Sequence, residues 1–242
     1  MQLFKSTLLR APHGFASRDG GVSEGPFSSL NASHSVGDRA EAVDENLRRL
    51  AKAANSSELL TITQVHGVEL SHDRGGIEAD GLWSARRGVA LGIRTADCLP
   101  VLLEDRAGRR VAAVHAGWRG VIGLIAVKMV ERFAELGSPK DQLRVALGPA
   151  IQRCCFEVDG ELPVRFEGAF GPSVVVEGFA KPHLDLSLAV RVSLEAAGVL
   201  PEHIEVLPQC THCDERFFSH RRDRGVTGRQ LSFITCAFET DL

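Results

Sequence analysis

Two kinds of apolar spacing alternate along the chain, and each predicts a different kind of element. Short apolar runs bounded by Gly, Pro or charged residues are typical of strands, whereas apolar positions every three or four residues are typical of helices. The short runs predict strands over residues 58–67 (ELLTITQVHG, ending at Gly67), 88–95, 143–151, 204–208 and 230–236. The stretch TADCLPVLLEDRAGRRVAAVHAGWRG, residues 95–120, predicts two further strands joined by a charged turn.

Helical spacing predicts helices over residues 40–54, 121–137 and 184–199, the second closed by Gly137 and the third capped by Asp185. Residues 17–38 are rich in Gly, Ser and Asn and predict a long loop, which in a compact chain is often functional. No internal repeat or low-complexity linker marks a domain boundary. We therefore expect one α/β (α+β) domain over residues 1–242, with mixed sheets covered by helices.

Composition and charge narrow the function classes. The chain has 242 residues, 44% of them hydrophobic, and a net charge of −3, so no global field favours nucleic acid or a membrane surface. Neither a membrane-spanning apolar segment nor a signal-peptide run is present, and we expect a cytoplasmic location. Six cysteines are then expected as thiols or metal ligands rather than disulfides. Basic residues cluster at Arg221, Arg222, Arg224 and Arg229, which suits a small anion.

Cys98 and His115 lie on either side of the charged turn. If residues 106 and 107 form a two-residue turn, directly opposite partners have numbers that sum to about 213, and Cys98 faces His115 with Cβ atoms roughly 5 Å apart. A three-residue loop with a bulge at Gly108 would instead send the two side chains to opposite faces. The alternative for each residue alone is a small buried thiol and an imidazole whose hydrogen bonds are satisfied locally.

Neighbouring residues favour a site. His115 is followed by AGWRG, a turn into a helix, and backbone N–H groups at a helix start favour an anion. Asp97 is adjacent to Cys98, and Arg119 lies in the turn itself. His66 in QVHG is a third candidate ligand at the end of a predicted strand. Catalytic zinc typically has three protein N/S ligands and one open position, so the three residues suggest a zinc site, although their spacing matches no short motif.

A series of ordered motifs resembles the YfiH-like, laccase-domain family, and the resemblance runs almost end to end. The motifs are GFASRDGGVSEGPFSSLN, QVHG, ADGLWS, TADCLPVLL, AAVHAGWRG, GPAIQRCCFEV and CTHCDERFFSHRRDRGVTGR. Members of this family carry the names of both polyphenol oxidases and purine nucleoside phosphorylases. The resemblance implies a mixed α/β fold of layered sheets and helices, similar to toxin-type cysteine hydrolases.

The same resemblance implies a metal pocket, usually zinc, made by the His of QVHG, the Cys of TADC and the His of VHAGW, which are His66, Cys98 and His115 here. It also implies phosphorolysis of adenosine, inosine, guanosine and methylthioadenosine, and deamination of adenosine. The expected partners are therefore a purine nucleoside and phosphate, with no nucleic acid and no membrane, and a monomer is favoured.

Roles for the remaining candidates follow from their chemistry. Planar guanidinium groups grip phosphate oxygens in pairs, so the candidate phosphate ligands are Arg119, Arg221, Arg229 and Arg18. The alternative for the SHRRDRG segment is a solvated charged loop. We expect Asp97 either to hold the second nitrogen of a ligand histidine or to act as a base, and Asp80 in EADG only to cap a turn.

Two features depart from a simple picture. Phe156 and His220 stand where family members often carry Tyr, which places the substrate preference in doubt. Cys210 and Cys213 form a C-x-x-C motif that could be half of a structural zinc site, with Cys154 and Cys155 as further ligands. Because the chain has no second C-x-x-C, two thiols near a turn are the favoured interpretation.

Three other functions stay open. The first is a copper-dependent polyphenol oxidase, although none of the nine histidines forms a His-X-His pair; copper outcompetes zinc at most N/S sites, so copper occupancy is expected as adventitious. The second is a metal-free hydrolase with Cys98 as nucleophile and His115 as its base. The third is a binding protein with a structural metal, which normally needs four protein ligands where three are apparent.

Overall fold

The computed structural model describes residues 1–105 and 109–236 of the chain. Within these residues the helices are α1 (Ala40–Ala53), α2 (Trp118–Ile122), α3 (Ile125–Glu135), α4 (Leu162–Phe170) and α5 (Leu186–Ala196). The strands are β1 (Leu3–Phe4), β2 (His13–Ala16), β3 (Glu58–Thr61), β4 (Leu70–His72), β5 (Gly81–Ser84), β6 (Val89–Thr95), β7 (Leu99–Asp105), β8 (Arg110–Ala116), β9 (Arg144–Leu147), β10 (Val175–Val176), β11 (His183–Leu184), β12 (Ile204–Val206) and β13 (Gln230–Thr235).

Two mixed sheets make up most of the β structure. The five-stranded sheet has the order β1-β2-β13-β6-β3, and the pair β3–β6 is parallel. The six-stranded sheet has the order β12-β9-β7-β8-β5-β4, with parallel pairs at both ends and antiparallel pairs in the centre. Strands β10 and β11 form a separate small pair. The expected mixed-sheet α+β class is confirmed.

The alternation of side chains along β7 explains why the two sheets pack against each other. Leu102 points to the five-stranded sheet and joins a core with Leu91 of β6. Val101, on the opposite face, joins a second core with Met129 and Phe133 of α3. Because successive strand residues face opposite sides, one apolar strand can pack against both a sheet and a helix layer. This double burial is why β7 has no polar face.

A third core completes the layering. Leu50 of α1 packs with Leu231 and Phe233 of β13, which covers the outer face of the five-stranded sheet. The order of layers is therefore helix, sheet, sheet, helices, which is the layered arrangement that the sequence resemblance implied. In the described part of the chain, every helix is too short or too polar to cross a bilayer.

The central β7–β8 hairpin is antiparallel, as predicted, but its register differs. Leu103 lies opposite Ala112 and Pro100 lies opposite His115, so Cys98 is not directly opposite His115. The proposed turn residues 106 and 107 lie outside the described residues. A shift of two positions keeps each side chain on its predicted face, because the side-chain period of a strand is two. The predicted pairing is wrong, but Cys98 and His115 still belong to the same face.

Two predicted elements end or break early. The strand predicted to reach Gly67 stops at Thr61, and the chain then crosses to the other sheet, where Thr63 bridges to Glu78. The helix predicted over 121–137 is interrupted by Leu124 in the left-handed conformation, with a φ of 58°. The Asp185 cap of α5 is confirmed, since its side chain accepts a hydrogen bond from the Leu188 N–H.

Candidate active site and metal centre

Three side chains from separate parts of the chain converge at one end of the central hairpin. His66 lies in the loop after Thr63, Cys98 immediately precedes β7, and His115 lies in β8. Their ligand atoms all lie within 4.8 Å of one another, and Cys98 Sγ is 4.0 Å from His66 Nε2. The two imidazole rings meet edge to face, with centroids 4.9 Å apart. The three residues that the sequence proposed as ligands thus form one cluster.

The buried carboxylate of Asp80 contacts both the His115 ring and the loop that carries His66. Its Oδ1 accepts a hydrogen bond of 2.8 Å from His115 Nδ1, and the side chain is fully buried. The same carboxylate accepts the backbone N–H groups of Val65, His66 and Gly67 at 3.2, 3.0 and 2.6 Å. One buried anion therefore sets the orientation of one histidine and the path of the loop that carries the other.

The ionisation of Asp80 is consistent with this role. Burial opposes the charged form of its carboxyl, but the hydrogen bonds from His115 and Gly67 outweigh burial and lower the pKa below its usual value. The expectation that Asp80 only caps a turn is therefore wrong. In the sequence Asp80 is only a carboxylate in EADG, and it lies one residue before β5, a strand that the sequence analysis did not predict.

Of the two roles predicted for Asp97, the contacts contradict the one as hydrogen-bond partner of a ligand histidine. Its carboxylate accepts hydrogen bonds of 2.7 Å from Thr211 Oγ1 and 2.7 Å from the Arg221 backbone N–H. The carboxylate that holds His115 is Asp80, so the predicted pairing of Asp97 with a ligand histidine is not present. Asp97 instead connects the segment before Cys98 to the segments that carry Thr211 and Arg221. These contacts are those of a residue that positions the neighbouring backbone.

The backbone leaves little space around the cluster. A Cβ added to Gly117, the residue before α2, would lie 3.2 Å from Cys98 Sγ and 3.1 Å from the His66 ring. His66 and Asp97 both have positive φ, at 59° and 87°. Non-glycine residues adopt this conformation at a cost of about 1–3 kcal/mol, which surrounding contacts must offset. For His66, the contact is the hydrogen bond from its backbone N–H to Asp80. For Asp97, the contacts are the hydrogen bonds that its carboxylate accepts from Thr211 and Arg221.

The donor set fits a zinc ion. Imidazole nitrogen and thiolate sulfur are the donors that zinc prefers, and three protein donors leave the open position of a catalytic site. Because His115 Nδ1–H donates a hydrogen bond to Asp80, Nε2 of the same ring is the nitrogen available to a metal. His66, Cys98 and His115 would hold the ion, and Asp80 would orient the third ligand.

The pKa values of Cys98 and His115 both shift toward the charged form of the group, so we expect a thiolate–imidazolium pair when no metal is bound. Burial opposes a charge on the Cys98 thiol, but the His115 imidazolium beside it outweighs burial and lowers the thiol pKa to about 6. Burial likewise opposes the imidazolium, but the Cys98 thiolate and Asp80 raise the pKa of His115 to about 9. A thiolate is the form of cysteine that binds a metal or attacks an electrophile.

A cleft of about 690 Å³ opens over the cluster. This volume lies within the range that is usual for small-molecule sites. Its apolar and aromatic wall includes Trp118, Ile151, Phe156 and Leu186, and its polar wall includes Gln64, His220, Arg221 and Arg229. Ser33 and Ser35 bring the Gly- and Ser-rich loop to the rim, as the composition of that loop suggested.

The four candidate phosphate-binding arginines do not share one position. Arg221 and Arg229 line the cleft. Arg119 is exposed and stacks on the Trp118 ring at 4.4 Å, and Arg18 donates to the Ser28 carbonyl at 2.7 Å while stacking on Phe218. Neither Arg119 nor Arg18 is among the residues that line the cleft.

Sequence reasoning did not identify Arg94 and Gln64. The Arg94 guanidinium donates to the Ala32 carbonyl at 2.8 Å and the Ile62 carbonyl at 3.1 Å. The Gln64 side-chain amide donates to the Arg94 carbonyl and accepts a hydrogen bond from the Arg94 N–H. Arg94 therefore joins the Gly- and Ser-rich loop to the strand that leads to His66. Phe156 and His220, the two replacements of Tyr, both line the cleft, so they stand where a substrate would touch them.

The protein combines a mixed α+β fold with a His–Cys–His group at one end of the central hairpin. Residues 12–237 match the model of the family described as multi-copper polyphenol oxidoreductase laccase, and the chain belongs to this family. It is 38% identical over 241 residues to "Purine nucleoside phosphorylase" of Deinococcus radiodurans, covering 97% of this chain and 92% of the relative. It is 40% identical to "Purine nucleoside phosphorylase YlmD" of Geobacillus stearothermophilus, covering 91% and 88%.

Solved structures agree with the family assignment. The crystal structure of YlmD from Geobacillus stearothermophilus superposes with a TM-score of 0.90 and 34% identity, covering 98% of this chain and 99% of that chain. The resemblance drawn from the motifs is therefore confirmed, as is the layered fold that it implied.

Proposed function

We propose that this chain is a zinc-dependent purine nucleoside phosphorylase. The observation that carries the proposal is one cleft that joins the His66–Cys98–His115 cluster to two arginines and an aromatic wall. The names of the relatives support the same activity, and they support an enzyme over a binding protein with a structural metal. Three donors with an open position also favour a catalytic metal over a structural one.

Arg221 and Arg229 are the proposed phosphate ligands. Each uses only Nη1 in hydrogen bonds to the described protein, Arg221 to the Glu157 carbonyl and Arg229 to the Thr227 and Gly228 carbonyls. The remaining N–H groups of each guanidinium are left to face an anion. Burial lowers the pKa of Arg229, so an anion beside it would replace part of the solvation that burial removed.

The aromatic wall is the proposed binding surface for the base. Trp118 and Phe156 offer flat faces, and Ile151 and Leu186 add apolar contact. Arg221 lies over the Phe156 ring at 5.6 Å, which places the proposed phosphate ligand beside the proposed base surface. This proximity is what phosphorolysis requires, because phosphate and purine must reach the same ribose carbon.

The proposed reaction joins phosphate to ribose and releases the base. An oxygen of hydrogen phosphate forms a bond to C1′ while the C1′–N9 bond breaks, and the bonding electron pair leaves on the purine. The proton of hydrogen phosphate ends on the purine, so the products are a neutral base and ribose 1-phosphate. Arg221 and Arg229 hold and orient the attacking group in this scheme.

Zinc in the cluster supplies Lewis-acid chemistry and the activation of water near neutral pH. Such chemistry suits deamination of adenosine, which we propose as a second activity in the same cleft. Asp80 keeps His115 in the tautomer and orientation that the cluster needs.

The test is a nucleoside panel with the zinc-loaded protein. Adenosine, inosine, guanosine and methylthioadenosine are incubated with and without phosphate, with base measured by chromatography, ribose 1-phosphate by ³¹P NMR and ammonia by a coupled assay. We expect base release that requires phosphate and equals ribose 1-phosphate formation. Base release independent of phosphate, or no turnover of any of the four, would contradict the proposal.

Arginine variants test the phosphate site. A hydrogen bond to a charged group contributes about 1.5–3 kcal/mol, so Arg221→Ala and Arg229→Ala are each expected to raise KM for phosphate by about 10- to 100-fold. KM for the nucleoside should change less. Arg132→Ala, an exposed α3 residue paired with Glu135, is the matched control and should leave both constants unchanged. Equal effects of all three substitutions would contradict the assignment.

A metal-free cysteine hydrolase is the second candidate, and the observation that favours it is the proximity of Cys98 to His115, whose ligand atoms lie within 4.8 Å of each other. The shifted pKa values of both groups agree with this candidate. It predicts that the metal-free protein hydrolyses ester or amide substrates and that alkylation of Cys98 stops this turnover. The copper-dependent oxidase predicts oxidation of phenols only after stoichiometric copper loading. The described residues offer two groups of three or more metal donors, with two histidines in one and none in the other, and coupled copper sites need more.

A further inference from the structure

Four cysteines that lie far apart in the sequence meet on one face of the protein. Cys154 and Cys155 follow Gln152 in one loop, and Cys210 and Cys213 come from another. All four sulfur atoms lie within 4.8 Å of one another. The four-cysteine arrangement that the sequence offered as the alternative is therefore present, and two thiols near a turn describe only half of it. The sequence did not favour it because the second pair is vicinal rather than a second C-x-x-C and lies more than fifty residues away in the chain.

The sulfur separations match those of a shared metal ion. Cys155 Sγ is 3.2 Å from Cys213 Sγ and 3.5 Å from Cys154 Sγ, and Cys154 Sγ is 3.8 Å from Cys213 Sγ. With a Zn–S bond of about 2.3 Å and tetrahedral angles, two zinc-bound sulfurs lie about 3.8 Å apart. Four donors at this spacing leave no open position, which is the pattern of a structural site.

The backbone around Cys210 favours a thiolate at that position. Cys210 Sγ accepts a hydrogen bond of 3.4 Å from the Gln152 N–H, and it also accepts backbone N–H groups of His212 and Cys213. N–H groups directed at sulfur stabilise its charged form, which is the form that binds a metal. The two loops are also paired by backbone, since Thr211 N–H donates to the Ala150 carbonyl at 3.0 Å.

A disulfide accounts for the cluster less completely. One bond between Cys155 and Cys213, the closest pair, would use two sulfurs and leave Cys154 and Cys210 beside it without a comparable role. Thiols are weak hydrogen-bond donors, so four of them gain little by gathering at a surface where two of their number are exposed. A single divalent cation engages all four at once.

We propose that Cys154, Cys155, Cys210 and Cys213 bind a second zinc ion in a closed, structural tetrathiolate site. The ion joins loop 152–157 to loop 210–214 across more than fifty residues of chain. Each loop is connected to the cleft. Phe156 of the first loop lines it, and the Thr211 hydroxyl of the second loop donates a hydrogen bond to Asp97, which also lines it. The inference does not depend on the proposed reaction, because it concerns metal content and stability.

Metal content is the direct test. The protein is reduced, loaded with Zn²⁺ under anaerobic conditions, freed of excess metal and analysed by elemental mass spectrometry. We expect two zinc ions per chain in the wild type and one in the double variant Cys154→Ser/Cys213→Ser, whose altered side chains are exposed and so replaceable without disturbing the core. Equal zinc contents in the wild type and the double variant would overturn the proposal.

Cobalt spectroscopy separates the two sites. In the Cys98→Ala variant, which lacks the thiolate of the cleft, Co²⁺ is expected to give an intense thiolate charge-transfer band and visible bands of tetrahedral four-sulfur coordination. Adding Cys154→Ser/Cys213→Ser to this variant should abolish the charge-transfer band. An absent or weak band in Cys98→Ala, or a persistent one in the triple variant, would contradict a tetrathiolate site.

The melting temperature with and without chelator tests whether the four-cysteine site stabilises the fold. Chelator treatment of the Cys98→Ala variant should lower its melting temperature, whereas the triple variant should melt at the same temperature with and without chelator. An equal response of both variants to chelator would contradict the site. A native mass that shows a disulfide in the protein purified under reducing conditions would do so as well.

Discussion

At the residue scale, the site depends on two carboxylates with exchanged roles. Asp80 holds His115 and the QVHG loop, whereas Asp97, which the sequence favoured because it adjoins Cys98, joins two loops. The three candidate ligands were predictable from their residue types and motifs. The supporting carboxylate was not, because it reaches His115 through a contact across the sheet that leaves no trace in local spacing.

Replacing Asp80 tests its supporting role. Loss of a residue that orients a metal ligand typically weakens metal binding, so Asp80→Asn is expected to lower zinc affinity of the cleft site by about 10- to 100-fold. Asp97→Asn is the matched control and should keep zinc affinity, since Asn retains an acceptor and tolerates positive φ. Competition with a chromophoric chelator measures both. Similar affinities in the two variants would show that Asp80 does not orient a ligand.

The Cys98 thiol provides a pH test on metal-free protein. The thiolate is the reactive form, and the pKa of Cys98 lies near 6 rather than at the usual value of 9.0. Alkylation of Cys98 should therefore reach half its maximal rate near pH 6, rising with pH. His115→Gln, which removes the imidazolium, should move this midpoint upward. Buried Cys236, whose pKa is raised to about 11, is an internal reference within the same peptide map. A Cys98 midpoint near 9 would contradict the ion pair.

At the element scale, the β7–β8 hairpin was predictable and its register was not. The apolar runs on either side of a charged turn identified both strands, but the number of turn residues decides the pairing. The face of each side chain survived the error because the pairing moved by two positions. The break between α2 and α3 was hidden for a similar reason, since Leu124 carries no sequence signal for a positive φ.

Gly117 links the end of the hairpin to the metal site. An alanine there would place its Cβ 3.2 Å from Cys98 Sγ, closer than nearly all such contacts, so the cluster would have to shift. Gly117→Ala is expected to reduce zinc affinity and turnover together while the protein stays folded. Gly168→Ala in α4 is the control, because nothing lies within 4 Å of its added Cβ. Zinc titration and circular dichroism distinguish the two, and unchanged zinc affinity in Gly117→Ala would contradict the tight packing.

At the scale of the whole molecule, two packed sheets and their loops bring distant motifs together. The layered class followed from interspersed strands and helices and from the family motifs. The lining of the cleft was not predictable in the same way, because four arginines were candidates and only Arg221 and Arg229 line it. Charge clustering in a sequence identifies candidates for an anion site, and only the packing selects among them.

The most direct test of the account is a zinc titration of metal-free protein monitored by phosphorolysis of inosine. The Cys154→Ser/Cys213→Ser variant is used, so that the cleft is the site being filled. The account predicts no ribose 1-phosphate before zinc is added, and a rate that rises linearly to a plateau at one zinc per chain. Full activity in the metal-free protein, or no activity at any zinc loading while the protein remains folded, would contradict a zinc-dependent phosphorylase built on His66, Cys98 and His115.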